Sequence, residues 1–180
     1  MGTSADPSIR PATLADVSAL AEVHVRAWQW AYRGQLPDAF LEGLTATIER
    51  RVAWRQAMLA QPGASRTWVA EVDGRLVGFA DTGPCRDEDA APTIAELYAI
   101  YLDQAATGRG IGRALLAHAM DDLRQRGYQS ARLWVLTSNA HARRFYEAAG
   151  WRPDGVTKTD THPAGVTLVE VRYFVGFLAH

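Results

Sequence analysis

Three glycines at alternate positions, Gly108, Gly110 and Gly112, interrupt the stretch LYAIYLDQAATGRGIGRALLAHAMDD, Leu97 to Asp122. They part a long apolar run from an amphipathic one. IAELYAIYLD reads as a strand apolar enough for the middle of a sheet. GRALLAHAMDDLRQRG has helical spacing, with Arg124 and Arg126 in its last turn and Gly127 as a fitting C-cap. Where a strand hands over to a helix, the first helical amides have no internal partner and point outward with the positive end of the dipole. Glycines let a bulky anion touch that backbone, and Arg109 and Arg113 add charge. The spacing is not the dinucleotide fingerprint, because Arg113 stands where the third glycine would be. It is not a Walker loop, because no Gly-Lys-Ser/Thr follows. The glycines alone leave two readings open: a cradle for an anion, or a tight turn that binds nothing.

Around this turn the chain alternates between helical and strand patterns. SIRPATLADV predicts a short strand and a helix start, with Thr13 and Asp16 as a capping box. Leu14, Val17, Leu20, Ala21 and His24 carry that helix to about Tyr32, where Gly34 and Pro37 end it. LPDAFLEGL and TATIERRVAWRQAML predict two more helices. TWVAEVDGRLVGFADTG predicts a hairpin about Asp73-Gly74. SARLWVLT predicts a strand, NAHARRFYEAAG a helix ending at Gly150, and VTLVEVRYFVGFL a last strand. The order is that of a mixed α/β fold about one sheet, a single domain over residues 1–180.

A chain of 180 residues, 48% apolar, can bury a sizeable core. The net charge of −1 gives no field for nucleic acid or an anionic membrane. No apolar stretch approaches the ~20 residues of a membrane span, and the first ten residues lack the apolar centre of a secretory signal. The one cysteine, Cys85, points to a reducing compartment, so the expected location is cytoplasmic. Lys158 is the only lysine and lies in a polar, turn-like segment, which argues against a catalytic lysine.

A second segment, LTSNAHARRFYEAAGW, puts Asn139 and Tyr146 seven apart, two helical turns, on one face. Phe145, Ala149 and Trp151 supply an apolar side. Singly, Asn139 reads as an N-cap and Tyr146 as an amphipathic core residue. Together with the glycine turn, the pair resembles the GNAT superfamily of N-acetyltransferases. IYLDQAATGRGIGRALL is similar to that family's acetyl-CoA pyrophosphate motif, and SNAHARRFYEAAGW to its later motif. The resemblance runs from about Trp68 to Trp151, which would be the cofactor-binding core.

The resemblance implies a central, mostly antiparallel sheet, splayed at the cofactor strand and flanked by helices. It implies acetyl-CoA as co-substrate and no metal. Thr107, Gly108, Arg109, Gly110, Ile111, Gly112 and Arg113 would hold the pyrophosphate. Ile100, Tyr101 and Leu102 would pair with the pantetheine arm as an extra strand does. Asn139 would contact the cofactor, and Tyr146 would lie beside the thioester sulfur as general acid. Thr107 is a departure, since the family usually carries Gln or Arg there. The loss is expected to weaken cofactor binding without abolishing it, and Arg109 is placed to compensate.

The implied reaction is direct attack of a primary amine on the thioester, with no acyl-enzyme. An alkylamine of pKa near ~10 must first lose a proton. Glu96 is the candidate base, on the cofactor strand and sharing a face with Tyr98 and Ile100; otherwise it marks a solvent-exposed strand start. Trp28 and Tyr32, four apart on one helical face, are candidates for the acceptor wall or for core, and Trp30 points elsewhere. Asp87, Glu88 and Asp89 read as a solvated loop. The histidines, at 24, 118, 141, 162 and 180, form no metal-ligand spacing, and His118 with Asp122 reads as a surface pair. The acceptor would be a small molecule or a peptide N-terminus; fold does not choose it. No nucleic acid or membrane is expected as partner. Relatives in the family pair, so a homodimer is one expected assembly. A CoA-binding module without turnover, or a nucleotide-binding protein reusing the same turn, would be the other classes.

Overall fold

The computed structural model describes residues 7–161 and 165–177. Seven strands form one sheet: β1 (Ser8–Pro11), β2 (Arg66–Val72), β3 (Arg75–Pro84), β4 (Ile94–Leu102), β5 (Ser130–Leu136), β6 (Arg152–Thr161) and β7 (Thr167–Gly176). Their order is β1-β2-β3-β4-β5-β7-β6. Every neighbouring pair is antiparallel except β4 and β5. Five helices flank the sheet: α1 (Val17–Ala31), α2 (Asp38–Gly43), α3 (Ile48–Ala60), α4 (Ile111–Gln125) and α5 (Ala140–Ala148).

The parallel pair positions everything else. β4 and β5 are in register only from Ile94 with Ser130 to Glu96 with Arg132. Beyond that, β4 stays with β3 as far as Leu102, and β5 stays with β7 as far as Leu136. The sheet therefore splits into a V whose inner edge on one side is the backbone of residues 97–102. A bulge assists the split. Asp81 faces Ala99 and Thr82 faces Leu97, so Tyr98 has no partner on β3. One extra residue bends the strand and inverts the alternation of side chains on either side of it.

Each face of the sheet has its own core. On one, Leu115, Leu116, Ala119 and Leu123 of α4 pack with Ala80, Leu97, Leu133 and Trp151. On the other, Leu20 and Val23 of α1 pack with Val69, Leu76 and Phe79. Removing a leucine such as Leu115 from water contributes roughly 1.5–3 kcal/mol. α3 is anchored by a buried ion pair. The Arg55 guanidinium lies 2.8 and 2.9 Å from the Asp81 oxygens and 4.3 Å from the Phe79 ring centroid, while Thr67 Oγ1 donates to Asp81 at 2.6 Å. Burial pushes the Asp81 carboxyl up, opposed by Arg55.

The hairpin turn has Asp73 at φ 51° and Gly74 at φ 73°, a pair of left-handed residues as Asp-Gly favours. Asp16 accepts from the Thr13 amide at 2.7 Å and from its hydroxyl at 2.9 Å. The segment read as a polar turn about Lys158 is a strand instead, β6, which pairs with β7 as the sheet's edge. It is exposed along its whole length, so it lacks the alternation that would have announced it. Residues 162 and 180, two of the histidine positions, lie outside the described residues. No helix of the described residues is long and apolar enough to cross a membrane.

Candidate active site

The V opens into a cleft of about 1020 Å³. Part of its wall is built by the glycine turn. β4 ends at Leu102, and Asp103 ties the strand end to α1: Arg26 donates to both its oxygens, at 2.8 and 3.0 Å. The chain then passes through Gly108, at φ 72°, and Gly110, at φ 80°. Both angles are left-handed, which costs any other L-residue roughly 1–2 kcal/mol. The first bond of the α4 ladder runs from the Ala114 amide to the Gly110 carbonyl at 3.0 Å. The amides of Ile111, Gly112 and Arg113 therefore have no partner within the helix. Thr107, Gly108, Gly110, Gly112 and Arg113 line the cleft. Ile111 buries its side chain in the core, with 2% exposed, so only its backbone can serve a ligand. Arg109 is not among the lining residues. Thr107 uses its hydroxyl locally, donating to the Gln104 carbonyl at 2.7 Å.

The opposite arm is α5. Asn139 caps it, accepting from the Ala142 amide at 3.0 Å, and also lines the cleft. Tyr146, two turns on, is buried on the cleft wall. Its ring packs beside Phe145, Trp151 and Tyr173, at centroid distances of 5.3, 6.1 and 6.5 Å. Tyr173 Oη in turn donates to Glu147 at 2.7 Å and accepts from Arg143 Nε at 3.1 Å, which fixes α5 against β7. Burial pushes the Tyr146 phenol up, with a smaller contribution from Tyr101. It stays a neutral phenol at physiological pH.

Ile100, Tyr101 and Leu102 all line the cleft, with different side-chain directions. Ile100 and Leu102 pack on the α4 core. Tyr101 turns to α1, stacked on His24 at 5.0 Å. Burial, with Arg51 and Arg55 nearby, holds the His24 imidazole down to about 3. Trp28 and Tyr32 meet edge to face at 4.8 Å and both line the cleft. They also pack on the small core of Val25, Leu36 and Leu41. Trp30 is not turned away from the site: it reaches the rim and packs on His141 of α5 at 5.8 Å.

Glu96 requires a correction. Because Tyr98 is the bulged residue, Glu96 shares a face with Ala99 and Tyr101, not with Ile100. It is buried, yet absent from the cleft lining. Its carboxylate accepts from the Arg86 amide at 2.9 Å, from Nε at 3.2 Å and from NH2 at 2.6 Å. It anchors the loop after β3. The acidic loop is not merely solvated either. Asp87 and Asp89 pair with Arg132 and Arg172, at 2.6 to 3.2 Å. His118 packs on Trp68 at 4.3 Å, and Asp122 pairs with Arg126. Among the described residues no group of three His, Cys, Asp or Glu could hold a metal ion.

The sequence reading missed Trp134, Leu168 and Glu170, which line the cleft along with Tyr101. Leu168 and Glu170 are two apart on β7, and that alternation in TLVEVRYF was the signal available. Only the pairing of Glu170 with Leu136 across the sheet turns it into the V.

A splayed parallel pair, a glycine turn opening a helix, and a buried phenol on the facing arm are thus brought together. The family model described as Acetyltransferase (GNAT) family matches residues 23–151. The chain belongs to the GNAT acetyltransferase family. This GNAT chain is 35% identical over 165 residues to the uncharacterized N-acetyltransferase YuaI of Bacillus subtilis, covering 91% of this chain and 90% of that protein. It is 24% identical over 154 residues to a spermidine N(1)-acetyltransferase of Thermoplasma acidophilum, covering 84% and 92%. Among solved structures, the PaiA N-acetyltransferase of Thermoplasma acidophilum in complex with coenzyme A superposes with a TM-score of 0.73 at 20% identity, over 96% of this chain and 100% of that one. YncA of Salmonella typhimurium, a putative acetyltransferase solved with acetyl-CoA, gives 0.71 at 23%, over 97% and 95%. These likenesses show the GNAT fold.

Proposed function

We propose that the chain moves the acetyl group of acetyl-CoA directly to a primary amine of a small molecule or a peptide N-terminus. The observation that carries this reading is the parting of β4 from β5 after Glu96. It leaves the strand edge of residues 97–102 without a β5 partner, between the amides opening α4 and the Tyr146 phenol. The relatives named N-acetyltransferases, and the fold neighbours solved with coenzyme A or acetyl-CoA, support it.

The residues present fit such a co-substrate. The amides of Ile111, Gly112 and Arg113 offer hydrogen-bond donors and a dipole to a diphosphate, and Arg113 adds charge. The free edge of β4 offers backbone groups to the amides of a pantetheine arm, as a sheet edge does to an added strand. When bound, acetyl-CoA supplies an activated acyl carbon that needs no acyl-enzyme. Tyr146 holds a proton at Oη for the departing sulfur. Trp28, Tyr32 and Tyr101 form an aromatic wall that desolvates an incoming ammonium, which favours its neutral, nucleophilic form. Glu96, occupied by Arg86, takes no part. Cys85 takes none either; burial pushes its thiol up, away from the thiolate form.

The test is thiol release from acetyl-CoA by the purified protein over a panel of primary amines. Turnover with at least one amine is expected. Tyr146→Phe should slow it by roughly 10²-fold with affinity for coenzyme A nearly intact. An unchanged rate would remove Tyr146 from the reaction. Binding of coenzyme A without thiol release for any amine would support the non-catalytic module instead.

A further inference from the structure

The chain's only lysine sits beside two residues of the cleft wall. Lys158 Nζ lies 3.1 Å from Glu170 Oε2 and 4.3 Å from the centroid of the Trp134 ring. Glu170 and Trp134 both line the cleft, whereas Lys158, on β6, does not. The Trp134 ring is held in place: its indole N–H donates to Asp87 at 2.9 Å, so a face stays turned to the ammonium. Arg172, also near that ring, is committed to Asp87, Asp89 and Asp154. A carboxylate and a fixed aromatic face converging on one Nζ make up what an alkylammonium requires.

The cleft carries charge of both signs. Glu170 is the only carboxylate lining it among the described residues, while Arg113 of α4 and Arg144 of α5 also line it. A cation in the cleft has that one carboxylate to pair with. The Lys158 side chain is 46% exposed and that of Glu170 25%, and an ion pair so wet is cheaply displaced. Tyr32 and Tyr146 line the same cleft as Glu170.

We infer that Glu170 and Trp134 form an ammonium subsite which Lys158 fills until an acceptor displaces it, and that the acceptor is an alkyl diamine. This rests on the acetyltransferase reading above. One ammonium of the diamine stays on Glu170. The other amine loses its proton to solvent and is delivered past Tyr32 toward Tyr146. Its nitrogen bonds to the acetyl carbon as the carbon–sulfur bond breaks. The sulfur leaves as a thiol with the proton of Tyr146, and the proton shed by the new amide nitrogen restores the phenol through solvent. A plain cross-strand pair, Lys158 opposite Glu170 in register, would do no more than steady β6.

The experiment compares kcat/KM for 1,4-diaminobutane and n-butylamine, alike in length and unlike in charge. Wild type should favour the diamine by about three- to tenfold, the worth of one partly exposed ammonium contact. Glu170→Gln should bring the ratio to about one. Lys158→Met should lower the KM of the diamine severalfold, because its competitor is gone. A wild-type ratio near one, or a ratio that survives Glu170→Gln, overturns the subsite. An unchanged diamine KM in Lys158→Met overturns the occupancy by lysine. Calorimetric titration with coenzyme A separates the two levels. If coenzyme A binds and the diamine neither reacts nor binds, the subsite falls and the acetyltransferase reading stands. If coenzyme A does not bind, both fall.

Discussion

Single residues in this molecule carry roles that depend on which neighbour reaches them first. Tyr146 is a buried phenol and Tyr101 a half-buried one, and only Tyr146 sits on α5, beside the rings of Phe145 and Trp151. His24 illustrates the stability side. Its imidazole, stacked on Tyr101 and beside Arg51, is held down to about 3. The unfolded chain binds a proton there near ~6.5. Between those values the unfolded state holds more protons than the folded one, so stability falls as pH falls. His24 should account for roughly 2–3 kcal/mol of stability lost between pH 6.5 and 4. Urea unfolding of wild type and His24→Phe over that range checks this: the variant's curve should be the flatter. Parallel curves would mean that the imidazole takes up its proton in the folded state.

At the scale of elements, the start of α4 is the piece whose backbone the site cannot replace. Gly110 is left-handed at φ 80°, and nothing lies within 4 Å of where a Cβ would be. Gly110→Ala therefore adds conformational strain without a clash, and tilts the turn away from the angle that presents the amides. Affinity for coenzyme A should fall about 5- to 30-fold, the equivalent of ~1–2 kcal/mol, as read by calorimetry; an unchanged affinity would show that the turn does not hold the ligand. This element was legible in the sequence because its requirement is conformational and glycine alone meets it cheaply. The Asn139–Tyr146 spacing was legible for a related reason, since two helical turns fix a face. Glu96 was not. Its assignment assumed unbroken alternation along β4, and the bulge at Tyr98 inverts that alternation with no residue type announcing it. β6 escaped because a strand exposed on both faces has no hydrophobic period. Glu170 escaped because an ordinary strand carboxylate gains its place only from the register of β5 with β7, a long-range pairing that no local window holds.

For the molecule as a whole, one topological event organises the rest. Three paired residues join β4 to β5, and then the two half-sheets part. α4 and α5 cover one face, and α1 with α3 the other. Two contacts link the arms across the rim: Ser138 Oγ donates to Gln35 at 2.7 Å, and Trp30 meets His141. The resulting cleft is lined by the opening of α4, two arginines, one carboxylate, several aromatic rings and a neutral phenol. Such a shape suits a long anionic ligand laid along the strand edge with its reactive end by the phenol. The most direct measurement is a calorimetric titration of the purified protein with acetyl-CoA. Saturable binding to one site per chain, weakened as salt screens the diphosphate, is the predicted result. Heats no larger than dilution would contradict the account at its root.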